Sequence, residues 1–558
     1  MSNEVKARSL FDRCAWSESL FTSNPSRRAM LGLKPTWSCR ELSIRAHRNH
    51  SFEHVISAAC AWAAYSGLKM SWADAPYDDA LSMQGLGVQP DLEVIWYDVE
   101  AVQSRLSFNV TTWLQARALA LRKISSSPIL MIIVGLDEAM EQTLRQLIST
   151  VPGVRLAPTS QVMSGIANPF DERLRRLSGS RLSEAANLVL AKHLACRWLP
   201  AMLGPRLKAV IVDLDQTLYE GVLGEDGIRV RLCEGHAGFQ AALKSLRASG
   251  IFLGMVSKNT CEDVEALFAA RQDFPLSLAD FSVAEIGWGS KSEAIKRACL
   301  KLRIDPASVL FIDDNPGELL AVSACLPQVG LIHASPDVQQ TLGSLDFFPG
   351  LWTWGVSQAD IIRVADLNAE TQRRNIEMGA ADKMTYLREL APKLEIWIRP
   401  AALRERLHEL SNKTNQFNLN LSRLDEVAVH EYLQHPEKFA IAVGLSDRLT
   451  DSGVVGAMFG SVMDGEITVE EWVISCRALG RELEGLMAAS ALKALAPYAK
   501  VATFRYKYGS RNTPGLDWLA KAAGRTLDSE GSASITISTL PAIADLPINL
   551  IIHQNEGL

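Results

Sequence analysis

Asp213-Leu-Asp215-Gln-Thr217 follows the apolar run KAVIV, so two carboxylates stand at i and i+2 and point the same way from the carboxyl end of a strand. Open α/β sheets bind their ligands at that end. Acidic residues often terminate strands, and the pattern alone is weak. Three further features join it, in order, each placed by a neighbouring strand: Ser257 ends FLGMVS, Lys291 opens the helix after GWGS, and Asp313-Asp314 end VLFIDD. The set meets the needs of phosphoryl transfer through an aspartyl phosphate. One carboxylate attacks phosphorus; its partner protonates the leaving group and then activates water. A hydroxyl and an ammonium hold the phosphoryl oxygens, and a third carboxylate helps hold Mg²⁺, which prefers hard oxygen ligands.

These residues need a sheet to carry them, and the surrounding sequence supplies one. From Leu207 to about Ala334, strand-length apolar runs alternate with helical patterns at 236–249, 260–270, 291–302 and 316–325, as a Rossmann-like unit requires. The first 200 or so residues alternate in the same way, with LEVIWY and PILMIIVG as buried strands, and predict a doubly wound sheet. Glu370–Leu390 is polar and helix-prone and reads as a bridge between domains. Beyond it, VVGAMFGSVM and EITVEEWVIS flank Asp464-Gly465, a hairpin signal within an α+β pattern. The predicted organisation is a multidomain α/β chain with domains at 1–204, 205–365 and 391–558 and a helical linker at 366–390.

Composition fits this picture. The 558 residues are 47% hydrophobic and 22% charged, the range of globular domains. A net charge of −6 gives no nucleic-acid footprint. No apolar run reaches the roughly 18 residues of a membrane helix. The first residues, MSNEVKARSLFDR, lack the apolar core of a signal peptide. The nine cysteines form no CxxC pair, which favours reduced thiols. A cytoplasmic protein is expected, without a nucleic-acid or membrane partner.

Asp213-Leu-Asp215-Gln-Thr217, Ser257, Lys291 and Asp313-Asp314 resemble the four motifs of the haloacid-dehalogenase phosphatase superfamily. The resemblance implies Asp213 as nucleophile and Asp215 as acid/base. It implies phosphate binding by Thr217, Ser257, Lys258, Asn259 and Lys291. Mg²⁺ would be held by Asp213, the main-chain carbonyl of Asp215, and Asp314 or Asp313. The short spacing between the first two motifs leaves no room for a large cap, so a protein-borne substrate has access. GVLGEDGI (221–228), SKN (257–259), FIDDNPGE (311–318), KTNQFNLN (413–420) and SCRALGRELE (475–484) together resemble the FkbH-like family, from about Leu207 to the C-terminus. That implies loading of a glyceryl unit from 1,3-bisphosphoglycerate, a small phosphorylated C3 substrate, onto an acyl carrier protein, with loss of phosphate, for polyketide, tetronate or methoxymalonyl-type biosynthesis. Gln216 stands where this family usually carries Asn. The N-terminal third resembles a degenerate SGNH-hydrolase-like domain; it has no GDS nucleophile, and YDDAL (77–81) reads as packing and surface.

The C-terminal domain resembles the GNAT acetyltransferase fold, whose coenzyme A loop has the form Q/R-x-x-G-x-G/A at a helix N-terminus. Arg477-Ala-Leu-Gly480-Arg481 fits the start of that loop, but Glu482 replaces its last small residue and repels a pyrophosphate. No tightly bound organic cofactor is expected; the phosphopantetheine arm of a carrier protein suits the loop better, with Arg477, Gly480 and Arg481 as contacts. Glyceryl transfer needs a thiolate that captures an activated carboxyl. Cys476, between a strand and the arginine-rich turn, fits that role; it also reads as an inert core cysteine. Cys261, after SKNT, is the rival, His408 a candidate base, and Asp447 and Asp451 candidate orienting groups. Asn415, Gln416 and Asn418 read equally as ligands of a hydroxyacyl or pantetheine group and as turn-stabilising amides. The alternative function is a Mg²⁺-dependent phosphatase of a small metabolite, coupled to an acyltransferase in sugar or polysaccharide modification.

Overall fold

The structure, a computed structural model, describes every residue except 1–2, 23–24, 26–29, 31, 76–80, 84–86, 104–108, 357, 480, 482, 496–498, 542–545 and 554–558. Residues 77–80 of YDDAL, Gly480 and Glu482 therefore lie outside the described residues. The chain is a multidomain α/β protein that divides into two compact units, Met1–Val356 and Ser357–Leu558. Among the described residues no helix is long and apolar enough to cross a membrane.

In the first unit, β1 (Arg40–Arg48), β2 (Leu68–Asp74), β3 (Leu92–Asp98), β4 (Ile129–Val134) and β5 (Val154–Leu156) form a parallel sheet in the order β2-β1-β3-β4-β5. Every residue of β3 and β4 is buried, as befits strands covered on both faces. The principal helices are α1 (Asn3–Leu20), α2 (Glu53–Tyr65), α3 (Val110–Ile124), α4 (Glu138–Ile148) and α5 (Glu184–His193). Asn109 and Asp137 cap α3 and α4 through the backbone amides of Thr111 and Met140.

A second parallel sheet follows: β6 (Ala209–Val212), β7 (Phe252–Ser257), β8 (Val283–Ile286), β9 (Val309–Asp313) and β10 (Gly330–His333), in the order β10-β9-β6-β7-β8. Its helices include α6 (Glu234–Ala248), α7 (Cys261–Ala270), α8 (Lys291–Leu302) and α9 (Pro316–Cys325). Because β6 lies between β7 and β9, the residues that leave these three strands converge. The two sheets share one apolar core: Phe21 and Tyr65 pack against Phe347 and Phe348, each pair with ring centroids 6.3 Å apart. The regions on either side of residue 204 therefore form a single unit.

The second unit opens with α10 (Gln358–Gly379) and α11 (Lys383–Leu390), so the stretch read as one bridging helix is divided between two helices. The break has a local cause, since Asp382 caps α11 by accepting from Thr385 N. Tyr386, Leu387 and Leu390 belong to this unit's core. The sheet comprises β11 (Lys393–Ile398), β12 (Lys438–Ser446), β13 (Asp451–Met463), β14 (Glu466–Ile474), β15 (Val501–Lys507), β16 (Glu530–Thr536) and β17 (Asn549–His553). Its order is β16-β15-β14-β13-β12-β11-β17, parallel only at β14–β15 and β11–β17. The helices are α12 (Arg404–Lys413), α13 (Glu426–Gln434), α14 (Glu484–Ala494) and α15 (Thr513–Ala523). Asp464 and Gly465 turn the β13–β14 hairpin with φ of 50° and 78°, as a two-residue primed turn demands.

Candidate active site

Asp213 follows β6 directly, and its amide donates to Ile312 O of β9 at 3.0 Å, which fixes the two strand ends together. Its Oδ2 lies 2.8 Å from Lys291 Nζ, and the same ammonium reaches Asp313 Oδ2 at 2.6 Å. Asp313 Oδ1 accepts from Asn315 N at 2.9 Å. Carboxylate oxygens of Asp213, Asp313 and Asp314 come within 4.8 Å of one another. One ammonium faces three carboxylates, and the imbalance marks the titration behaviour. Burial and the Asp213 charge push the Asp313 carboxyl up to about 7, and the same two causes raise Asp314. Burial opposes the charge on Lys291, but Asp213 and Asp313 override it and hold the ammonium above its ordinary value.

Two atoms stand out because nothing satisfies them. Asp213 Oδ1 and Thr217 Oγ1 are buried without a hydrogen-bond partner. Buried polar atoms are normally satisfied, so both oxygens are open to a ligand or to water. The residues present fit a divalent cation: hard oxygen donors, an excess of negative charge, and an orphaned oxygen on the central carboxylate.

Asp215 is held apart from this group. Its Oδ1 accepts from Tyr219 Oη at 2.7 Å and Leu223 N at 2.9 Å, and its Oδ2 from Asn259 Nδ2 at 3.1 Å. Gln216 adopts φ 55°, the left-handed turn that lets the chain double back beneath the carboxylate. Gly221, at φ 118°, is required there, since a Cβ would stand 2.7 Å from Asp226 Oδ2. Ser257 is buried and its Oγ accepts from Asn259 Nδ2 at 3.0 Å. Lys258 differs from the sequence expectation of a phosphate ligand. Its ammonium pairs with Glu318 Oε1 of α9 at 2.5 Å and is engaged there.

Sequence reasoning missed three supporting contacts. Tyr219 and the Leu223 amide orient Asp215; Leu223 lies inside GVLGEDGI (221–228), and Tyr219 stands two residues before it. His333, at the end of β10, lies with Nε2 2.9 Å from Asp314 O, while its Nδ1 is 3.1 Å from Glu18 Oε1 of α1. A lone histidine and a glutamate 315 residues apart leave no local signal.

In the second unit, Cys476 leaves β14 half-buried, in a tight turn where Ala478 N donates to Ser475 O at 2.9 Å. Among the described residues no histidine or carboxylate is hydrogen-bonded to its thiol. His408 is half-buried on α12. Asp451 is exposed and accepts from Gly453 N at 2.7 Å, a turn-stabilising role. Cys261 is exposed at the start of α7, in the first unit. Burial and the repulsion of Arg406 pull the Arg477 guanidinium down to about 10.

Arg481 departs from its expected role. It is buried in an ion-pair network, with Nη2 3.1 Å from Asp366 Oδ1 and from Ser452 Oγ, and Nη1 3.4 Å from Asp447 Oδ2. Arg373 completes the network at 2.8 Å from Asp447 and 3.1 Å from Asp366. Arg481 and Asp447 therefore pair inside the unit, and neither is presented to a ligand.

The KTNQFNLN run is the larger departure. β14 and β15 pair only at Ile467–Val469 with Ala502–Phe504, then diverge where Glu470 bulges out of register with β13. Gly460 makes the bulge possible, because a Cβ there would meet Thr468 O at 2.1 Å. Residues 417–419 fill the gap. Asn418 bridges Val473 in antiparallel sense, Leu419 N donates to Trp472 O at 3.1 Å, Ile474 N to Phe417 O at 3.0 Å, and Lys507 N to Leu419 O at 2.8 Å. Asn418 is wholly buried: its Nδ2 donates to Glu471 Oε1 at 3.0 Å and its Oδ1 accepts from Leu421 N at 2.7 Å. It is a structural amide. Asn415 and Gln416 are exposed and precede the bridge of Asn418 to Val473. Asn415 Oδ1 accepts from Arg423 Nη2 at 2.6 Å.

No protein family description matches the chain. No curated protein matches it either. Among solved structures it is similar to the N-terminal part of the protein BF1531 from Bacteroides fragilis, which contains a phosphatase domain and is complexed with Mg. The identity is 18%, the TM-score 0.45, and the match covers 59% of this chain and 98% of that one.

Proposed function

We propose that the chain joins a Mg²⁺-dependent phosphatase centre to a thiol acyl-transfer centre, and that it loads a glyceryl unit from 1,3-bisphosphoglycerate onto an acyl carrier protein while removing phosphate. The observation that carries the phosphatase half is the orphaned Oδ1 of Asp213, buried at the focus of Lys291 and two further carboxylates. This oxygen is the nucleophile. It attacks phosphorus, the leaving alcohol takes a proton from Asp215, and Asp215 then takes a proton from the water that releases phosphate. Thr217 Oγ1, Ser257 and Lys291 bind phosphoryl oxygens. Asp213, Asp313 and Asp314, with the Asp215 main-chain carbonyl, hold Mg²⁺, which supplies positive charge to the phosphoryl group.

In the transfer half, the Cys476 thiolate attacks the acyl-phosphate carbonyl. A C–S bond forms and inorganic phosphate leaves; the carrier's thiol then displaces Cys476 by thioester exchange. The bridge of Asn418 to Val473 brings the KTNQFNLN run to the end of β14, three residues before Cys476, and supports this reading. A coenzyme A-dependent acyltransferase is disfavoured because residues 417–419 occupy the strand edges between β14 and β15.

The test is intact-protein mass spectrometry after mixing the protein with Mg²⁺ and a system that generates 1,3-bisphosphoglycerate. A glyceryl-sized adduct is expected on the parent chain, no adduct on Cys476→Ala, and a phosphoglyceryl adduct on Asp213→Asn. No adduct on any of the three, with phosphate still released from simple phosphomonoesters, would overturn the transfer half and leave the phosphatase.

A further inference from the structure

Asp314 carries one of the three carboxylates of the candidate cation site, yet among the described residues no side chain donates a hydrogen bond to that carboxylate. Its main chain places it, at the point where the chain leaves β9. Hydrogen bonds hold this stretch from both sides. Ala334 N donates to Asp313 O at 2.9 Å, Asn315 N donates to Asp313 Oδ1 at 2.9 Å, and His333 Nε2 lies 2.9 Å from Asp314 O. A carbonyl oxygen only accepts, so Nε2 carries the hydrogen and donates it. Of these bonds, the last is made by a side chain from a neighbouring strand: β10 pairs with β9 and sets His333 opposite Asp313.

The ring is itself held from α1. Nδ1 lies 3.1 Å from Glu18 Oε1, and Glu18 O accepts from Gln340 Nε2 at 2.6 Å, which pins the end of that helix. Cys14, one turn earlier, is buried with its thiol against the His333 main chain. The His333 side chain nonetheless keeps 22% of its surface exposed, so it is not a core residue whose loss would undo the sheet. A group one layer behind a metal ligand orients that ligand without touching the ion. Losing such a group typically costs about 10- to 100-fold in metal affinity.

We propose that His333 is a positioning residue for the cation site: its Nε2–H fixes the Asp314 main chain, and α1 fixes the ring through Glu18. The proposal rests on the reading of Asp213, Asp313 and Asp314 as the Mg²⁺ ligands. It gives α1, which precedes the first sheet in sequence, a part in the metal site of the second. The test is Mg²⁺ binding by the full-length chain, read by calorimetry and by the shift of the unfolding curve, with no phosphate substrate present. His333→Phe keeps a ring of similar size and loses the donor. His333→Gln keeps a donor, and His333→Ala keeps neither ring nor donor.

The expected result is Mg²⁺ binding about ten-fold weaker in His333→Phe and His333→Ala, and weaker by less than about three-fold in His333→Gln. Glu18→Ala frees the ring and should weaken Mg²⁺ by about three-fold. The Mg²⁺ concentration that gives half-maximal phosphate release should rise by the same factors. Equal weakening in all three His333 variants, or binding by His333→Phe as tight as the parent's, would overturn the role of His333 and leave the cation site standing. A parent chain that binds no Mg²⁺ would overturn the cation site itself, and this proposal with it.

Discussion

Lys291 Nζ lies 2.8 Å from Asp213 Oδ2 and so neutralises the carboxylate whose other oxygen is left open. The pair is buried, with side chains 5% and 8% exposed, and the ammonium also separates Asp213 from Asp313. Removing it strands two like charges out of water. Lys291→Met is therefore expected to cost about 3–5 kcal/mol of stability in the first unit, the range for one missing partner of a buried ion pair. Phosphate release should fall below detection. Thermal unfolding and a phosphate-release assay check both, and a variant as stable as its parent refutes the reading of this pair.

The same crowding predicts a response to Mg²⁺. Burial and the Asp213 charge keep the carboxyls of Asp313 and Asp314 above their usual range, and a divalent cation removes the cause of that repulsion. At a hundred-fold excess over Kd, Mg²⁺ should stabilise the unit by about 2.7 kcal/mol. Asp314→Asn should weaken that shift, and chelation should abolish phosphate release. Unfolding curves that coincide with and without Mg²⁺ for the parent chain speak against a cation at this cluster.

Glu471 gives a pH signature in the second unit. It is fully buried, and burial outweighs Ser411 and Asn418 to push its carboxyl up from 4.5 to about 7. Below about pH 4.5 both folded and unfolded chains carry the proton and the residue costs nothing. As pH rises toward 7 the unfolded chain ionises first, so stability falls with pH, by roughly 3 kcal/mol in all for a shift of this size. Glu471→Gln should remove this slope, matching the parent at pH 4.5 and exceeding it at pH 8. Equal stability of the two proteins at pH 8 contradicts the buried-acid account.

Much of the first centre was legible because the sheet converts sequence order into proximity. Asp213, Ser257 and Asp313 each end a run of apolar residues, and parallel strands bring such ends to one edge. What escaped was contact that no period encodes. Lys258 turns to Glu318, sixty residues away, and His333 meets Glu18 only because α1 packs on β10. The second unit was less legible for a related reason. KTNQFNLN reads as a helix end with short amides, and nothing in its pattern shows that residues 417–419 enter a sheet between strands β14 and β15. Phe417 and Ile474 become neighbours only through that insertion.

Arg481 and Arg477 stand four residues apart in the same motif and should behave oppositely. Arg481 bridges Asp366, Asp447 and Ser452 inside the core, with 3% exposure, whereas Arg477 has Arg406 and Arg363 near it and its guanidinium is pulled down by burial and that repulsion. Arg481→Met removes one of the two arginines that bridge Asp366 and Asp447 among the described residues, at a cost of about 3 kcal/mol or more. Arg477 is half-buried and outside that buried network, so Arg477→Gln should cost less. Neither change touches Asp213, which lies in the first unit, so phosphate release from a simple phosphomonoester should persist in both. If Arg481 served a ligand instead, Arg481→Met would unfold like the parent chain and lose only acyl transfer, and comparing the two unfolding curves decides between these roles.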